Sequence, residues 1–260
     1  MNIAFDYKKI IVNLNILFLL LKKELKLRYY GSAIGYIWSI LNPLCFAAVY
    51  FIAFKIIMRF DQDNYAISLI IALFPWMWIV NSLVVGTNSV RNNFALVKKI
   101  SFNYTMLPLS NILHDIVHFF FCIPIIIGFI IYVDGNLFVS WFWQLPIMII
   151  VQLALLFPII LFLSSLNVFI KDIEYMVSLG VSILFFLTPI IYPISIVPAK
   201  YLFVYKLNLF AVLIDNWRSM FMNGELDYIW LSAIFLISVI LIFFSYKYFI
   251  NKSKLFGEVL

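Results

Sequence analysis

The residues best placed for chemistry are His114-Asp115-x-x-His118. Residues four apart share one face of a helix, so two imidazoles at this spacing can hold one ligand, as helical zinc pairs do. Here Asp115 stands where such a pair has its general-base glutamate, and no third ligand is evident. The cluster therefore reads as an interfacial hydrogen-bonding pair, and no metal is expected. No G-x-x-x-x-G-K-[ST] phosphate loop occurs. Gly31 and Gly35 come nearest to a glycine pair, and no Lys-Ser/Thr follows them. The chain cannot hydrolyse a nucleotide by that route, so no catalytic residue is expected. A second pattern is a surface. Trp38, Asn42, Phe46 and Tyr50 recur every four residues and form one slowly rotating helical stripe. Flat rings can stack on the C–H faces of sugars without bonds that would arrest a moving chain. Ordinary helix or lipid packing is the simpler use of the same rings. A third pattern is charge: Lys22, Lys23, Lys26 and Arg28 stand close together. Such groups pair with phosphate, or with anionic lipid heads at about 1 kcal/mol per basic residue.

The elements that position these residues follow from composition. Hydrophobic residues make up 65% of the 260, against roughly 45–50% in soluble proteins. Charged residues make up 12%, about half the usual share of roughly 25%, too few to cover a soluble globule. Most of the surface must face lipid. Aromatics reach 19%, more than lipid contact demands, because Leu and Ile would serve there. Cys45 and Cys122 lie inside apolar runs, which excludes a disulfide framework and a cysteine metal site. The apolar run before Lys22 is short and is followed by charge, so a cleavable signal peptide is not expected. Charges are nearly absent from the apolar runs. That argues against an ion-coupled carrier or a small-ion channel, which would place carboxylates at mid-membrane.

The expected fold class is an all-α integral membrane protein, a single domain over residues 1–260. Six transmembrane spans are expected at 34–54, 65–85, 116–133, 145–168, 176–192 and 228–246. Residues 1–30 are expected to form an amphipathic interfacial helix. Its apolar side is Ile10, Leu14, Leu17, Phe18, Leu21 and Leu25, with Asn15, Lys22 and Lys26 opposite. A helix packed on other protein is the alternative for that segment. With both termini cytoplasmic, 13 of the 18 basic residues fall inside and 5 outside, which sets the orientation. The inside connection 86–110 carries Arg91, Lys98 and Lys99. The outside connection 193–227 reads as short re-entrant or interfacial helices, ended by the Asn223-Gly224 turn signal.

The run from Leu25 to Trp38, which holds Arg28-Tyr29-Tyr30-Gly31-Ser32-Ala33-Ile34-Gly35 and leads into Asn42-Pro43-Leu44, resembles the entry motif of the type-2 ABC permeases that export bacterial polysaccharides. Ala72-Leu73-Phe74-Pro75-Trp76, the loop 93–108, Leu166-Asn167-Val168-Phe169-Ile170-Lys171-Asp172 and Thr188-Pro189-Ile190-Ile191-Tyr192-Pro193 are similar to further stretches of that family, in order. The likeness spans the whole chain and is nearest to the O-antigen (lipopolysaccharide) exporters. Capsule and teichoic-acid exporters share the plan. Ile34-Gly35 replaces the family's Leu-Gly, Lys171-Asp172 its Arg-Asp, and Ser101-Phe102-Asn103 its Phe-Pro.

The resemblance implies a homodimer with two copies of a separate nucleotide-binding ATPase, in the bacterial inner membrane. ATP and magnesium would sit on that partner, with no cofactor in this chain and no nucleic acid. The substrate would be an undecaprenyl-diphosphate-linked glycan, passing along the dimer interface between first and fifth spans. Trp38, Phe46, Tyr50, Phe185, Phe186 and Tyr192 would line that channel. Lys22, Lys23, Lys26, Arg28, Gly31 and Gly35 would form the cytoplasmic entrance and meet the diphosphate. Asn93, Phe94, Lys98, Lys99 and Phe102 would couple to the ATPase through a cytoplasmic helix. The segment 193–227 would supply periplasmic gate helices. Two other classes compete. A type-2 ABC permease for a drug or small lipid would share the motifs without the aromatic excess. A membrane-embedded enzyme would need a site that only His114-Asp115 approaches.

Overall fold

The computed structural model describes residues 3–60, 64–133, 135 and 137–259, with side chains from residue 11 onward apart from Tyr29, Ser195 and Val204. It is helical, and no strand occurs among the described residues. The order is α1 (Ile3–Tyr29), a 3-10 turn (Gly35–Ile37), α2 (Trp38–Phe51) closing in a π-turn (Ile52–Ile57), α3 (Tyr65–Thr87), α4 (Ser89–Asn92), α5 (Phe94–Lys99) and α6 (Met106–Val133). Then come α7 (Trp141–Phe169), α8 (Ile173–Leu187), two 3-10 turns (Ile194–Ile196 and Ala199–Tyr201), α9 (Leu202–Leu207), α10 (Leu209–Asn223), α11 (Tyr228–Ser253) and α12 (Phe256–Val259).

Among the described residues, five helical stretches are long and apolar enough to cross a membrane: Gly35–Ile57, α3, α6, α7 and α11. They answer to the first four and the sixth expected spans. α6 starts at Met106 rather than at residue 116. Its polar first turns stay helical because Ser110 Oγ and Asn111 Nδ2 donate to the Leu107 carbonyl at 2.9 and 3.0 Å. The expected fifth span, 176–192, is α8, an apolar helix of 15 residues. At about 1.5 Å per residue it reaches about 22 Å, short of a hydrocarbon core of about 30 Å. It stops at Leu187 because Thr188 precedes Pro189 and is extended (φ −112, ψ 140). Proline's ring disfavours helical backbone at the preceding residue.

α3 lies at the centre, packed by α2, α6, α7, α8 and α10. Buried residues make up 72% of its most apolar window, against 11% for the stretch containing α2 and 22% for α11. A Cβ on Gly86 would fall 2.5 Å from Ile160 Cγ2, so the α3–α7 approach requires glycine. The buried amide of Gln152 on α7 donates to the Pro75 carbonyl of α3 at 3.3 Å and accepts from Trp217 Nε1 of α10 at 2.7 Å. α10 is thereby fastened into the core. Its first turn is capped by Asn208 Oδ1, which accepts from the Phe210 and Ala211 amides. Its last carbonyls are met from α7: Trp141 Nε1 donates to Met220 O at 2.7 Å, and Gln144 Nε2 to Gly224 O at 2.7 Å.

α1 departs from the expected division into an apolar and a polar side. Leu20 is buried, and Leu17, Leu21 and Leu25 are half-buried. Leu14, Phe18 and Leu19 stay exposed. The helix thus packs on α6 while a second apolar strip remains free for lipid. Ile10 lies outside the described side chains. Leu20 shares a small core with Val97 of α5, Val168 of α7, Phe249 of α11 and Phe256 of α12. One packed cluster therefore ties together the basic end of the bundle.

Candidate conduit and its two ends

The stripe on α2 divides in two. Phe46 and Tyr50 stack with ring centres 6.4 Å apart, and Tyr50 stacks on Phe185 of α8 at 5.3 Å. Phe186 meets Phe185 edge-on at 5.3 Å, and Trp76 of α3 lies behind Phe185 at 6.1 Å. Phe46 and Phe186 are exposed, Tyr50 is half-buried, and Phe185 is buried beneath them. Trp38 is exposed at the basic end, apart from this ladder. Tyr192 lies past α8, where its hydroxyl donates to Phe186 O at 2.9 Å and bonds the Tyr205 hydroxyl of α9. Four of the six expected wall residues thus meet in one aromatic ladder, with Trp38 and Tyr192 at its two ends.

The α2–α8 face also presents polar groups outward. Asn42 on α2 and Ser178 and Ser182 on α8 are exposed. Each serine hydroxyl donates to the carbonyl four residues earlier, at 2.9 Å. The spacing of the two serines was legible in the sequence as one helical face; their outward direction was not.

At the basic end, Gly31 and Gly35 both have left-handed backbone (φ +75 and +58), which favours glycine and turns the chain from α1 into α2. Ser32 Oγ accepts from the Gly35 amide at 3.1 Å. Beneath this turn lies a polar relay. Arg28 Nη1 is 3.1 Å from Asp115 Oδ1, and Ser82 Oγ donates to Asp115 Oδ2 at 2.7 Å. The carboxylate is 3% exposed and the Arg28 side chain 35%. His114 and His118 face each other with Nε2 atoms 3.0 Å apart, and His118 Nδ1 lies 2.7 Å from Ser39 Oγ of α2. An Nε2–Nε2 bond needs one acceptor, so at least one imidazole is neutral. The His114-Asp115-x-x-His118 pattern thus bonds α1, α2, α3 and α6 to one another.

The four expected entrance cations separate into two kinds. Arg28 is committed to Asp115, and Lys23 pairs with Glu24 at 3.5 Å and donates to Asn93 Oδ1. Lys22 and Lys26 are exposed and make no ion pair among the described residues. Nearby, a short helix, α5, lies at the expected place of the coupling helix, set off from α4 by Asn93 (φ −109, ψ 22). Asn93 is buried, and its Nδ2 donates to Ser89 O at 2.8 Å. Phe94, Lys98 and Lys99 point outward from α5, while Val97 turns into the basic-end core. Phe102 packs edge-on against Tyr104 at 5.1 Å, and the Tyr104 hydroxyl donates to Val97 O at 3.1 Å. Arg91 of α4 pairs with Glu174 of α8 at 3.8 Å.

The opposite end contains residues that local pattern did not single out. Arg218 of α10, counted in the sequence as one more outside charge, is 7% exposed. Its Nη2 donates to the carbonyls of Pro189 and Ile190 at 2.7 and 3.2 Å. Tyr65 of α3 donates to Ile191 O at 3.1 Å. The segment after α8 is held by these three bonds. Burial pushes the Asp215 carboxyl above its ordinary value, with Arg218 and Lys206 opposing.

Residues 16–222 match the model of the ABC-2 type transporter family. Two proteins of Klebsiella pneumoniae, each named O-antigen export system permease protein RfbA, are 38% and 37% identical over 246 residues, or 95% of this chain and 95% of each of them. A protein of the same name from Myxococcus xanthus is 28% identical over 247 residues, covering 92% of this chain and 93% of that protein. A match over most of the length, with the entry turn, the α2 stripe and α5 all inside it, establishes the family: the chain belongs to the ABC-2 type transporter membrane proteins.

Proposed function

We propose that this chain is the permease subunit of an ATP-driven exporter that moves a lipid-linked bacterial polysaccharide of the O-antigen class across the inner membrane. The observation that carries the conduit is the outward polarity of the α2–α8 face. The exposed Asn42 amide, without a partner among the described residues, is poorly suited to lipid, where unpaired polar groups cost free energy, and the Ser178 and Ser182 hydroxyls, though each donates within α8, keep acceptor capacity facing outward. They suit a sugar chain. The similarity to O-antigen export permeases over 95% of the chain supports the substrate class.

In this reading the basic end is cytoplasmic, α8 is the fifth of six spans, and both termini lie inside. Two copies bring their α2–α8 faces together around the glycan. Trp38, Phe46, Tyr50 and Phe186 surface the wall, Phe185 backs it, and Tyr192 marks the exit. Lys22 and Lys26 attract the undecaprenyl-linked diphosphate beside the Gly31–Gly35 turn. α9 and α10 form the gate on the far side. ATP and magnesium are bound by the separate ATPase, two copies of which dock on α5 around Phe94, Lys98, Lys99 and Phe102. Motion entering α5 reaches α1 through the Asn93–Lys23 bond and α8 through the Arg91–Glu174 pair. The faces then separate and the polymer advances. No bond is made or broken by this chain.

The test is deletion and complementation. Removing the gene should leave the lipid-linked glycan inside the cell, and the wild-type gene should restore it to the surface. Unchanged surface polysaccharide after deletion would refute the reading. Reversing Lys98 and Lys99 to Glu should abolish export with normal accumulation of the chain, because exposed substitutions of this kind shift stability by only about ±0.5 kcal/mol. Normal ATPase stimulation in that variant would refute the coupling role.

A further inference from the structure

A cavity of about 310 Å³ lies between the end of α1, the first turns of α2 and the middle turns of α3 and α6. This is the small end of the roughly 300–1,000 Å³ range of ligand sites. It has room for one ring and not for a polymer. Trp38, Asn42, Trp78, Asn81, Asp115 and His118 are among its lining residues. We propose that it holds one neutral sugar ring of the polysaccharide before the chain enters the conduit, an inference that rests on the export reading.

Four observations point to that ligand. First, the cavity's opposite charges cancel. Arg28 and Asp115 both line it and bond each other at 3.1 Å, so it offers an anion no free cation of its own. Lys22 and Lys26 remain available for the diphosphate on the outer surface of α1. Second, the side-chain amides of Asn42 and Asn81 form no hydrogen bond among the described residues. Each presents donors and an acceptor together, which is what a hydroxyl needs. Third, Trp78 lines the cavity but is 2% exposed, its ring packed against Phe119 at 5.3 Å and its indole N–H sealed in without an acceptor among the described residues, so it gives the cavity a fixed aromatic floor. Fourth, Trp38 and Asn42 are the first two members of the α2 stripe. The cavity therefore lies where the wall begins, with the exposed indole of Trp38 to cover the apolar face of a pyranose.

The purified full-length chain in lipid nanodiscs, without any ATPase, tests this by saturation-transfer NMR. The probes are methyl glucoside, methyl galactoside and methyl mannoside, with sodium pyrophosphate as competitor. At least one hexoside should bind saturably. Binding should weaken at least tenfold in Asn81→Leu and in Asn42→Leu, and pyrophosphate should not displace it. Asn42 is exposed on α2, so its variant keeps the fold even if Asn81→Leu does not. Absence of hexoside binding, equal binding in Asn42→Leu, or displacement by pyrophosphate would each overturn the proposal. Failure of the export reading looks different: deletion of the gene would leave surface polysaccharide unchanged, whatever binds in the nanodisc.

Discussion

Two faces of this molecule are uncovered in the single chain, and they differ in where their few polar side chains sit. α11 turns Leu236, Ile237, Val239, Ile240, Phe243 and Phe244 outward while burying Ser238 and Ser245 against the bundle, and its exposed Ser232 sits in its first turns. α8 shows Ser178 and Ser182 outward in the middle of the helix, among exposed Met176, Leu179, Ile183 and Phe186, while Val181 and Phe185 face in. α2, with Asn42 exposed beside Trp38 and Phe46, follows α8. Both faces contain rings, so aromatic content alone does not separate them. The placement of the few polar side chains does. Lipid favours hiding hydroxyls at the middle of a span, because hydrocarbon offers their remaining lone pairs no partner. A helix that shows them faces protein, water or a polar cargo.

The sharpest way to break this contrast is to place one charge on each face. Aspartate at the centre of a lipid-facing helix costs about 2.5–3.5 kcal/mol of insertion free energy. Ile240→Asp should cut the membrane level of the chain more than tenfold, measured by blotting. Ser182→Asp should leave that level within about twofold and block export. Similar losses in both variants would erase the distinction between the faces.

A smaller effect is expected where the α8 face ends. Arg218→Met removes the donor for the Pro189 and Ile190 carbonyls. Each buried group left unpaired costs about 1–3 kcal/mol. At about 2–4 °C per kcal/mol, a loss of about 3 kcal/mol lowers the melting temperature by about 6–12 °C in detergent. A shift under about 2 °C would show that Arg218 does not hold this segment. Smaller still in stability are the truncations Phe46→Ala and Phe186→Ala. Both rings are exposed, so melting should barely move, while export should fall several-fold. Phe244→Ala, also exposed, should change neither. Equal export in all three would make the α2–α8 rings ordinary packing.

Much of this was legible before the coordinates. Long apolar runs gave the five long helices, and the Asn223-Gly224 pair marked the end of α10. The i, i+4 spacing put His114 and His118 together. What stayed hidden were partners far apart in sequence. Gln152 reads as a stray polar residue until Trp217 and the Pro75 carbonyl meet it. Arg218 reads as a surface charge until the carbonyls after α8 are found beside it. The depth of α1 on the bundle depended on Leu20, which lies off the apolar stripe that periodicity drew through Leu17 and Leu21. Burial of these residues is set by neighbours 28 to 77 residues away or by packing between helices, and local pattern has no access to either.

The measurement that tests the central claim most directly is photocrosslinking in living cells that are making polysaccharide. Benzoylphenylalanine is installed at Phe46 in one strain and at Phe243 in another, both exposed ring positions at similar membrane depth by helix position. The account expects adducts to the glycan or to a second copy of the chain from position 46, and to lipid only from position 243. Glycan adducts from position 243, with none to glycan or to a second copy from position 46, would contradict it.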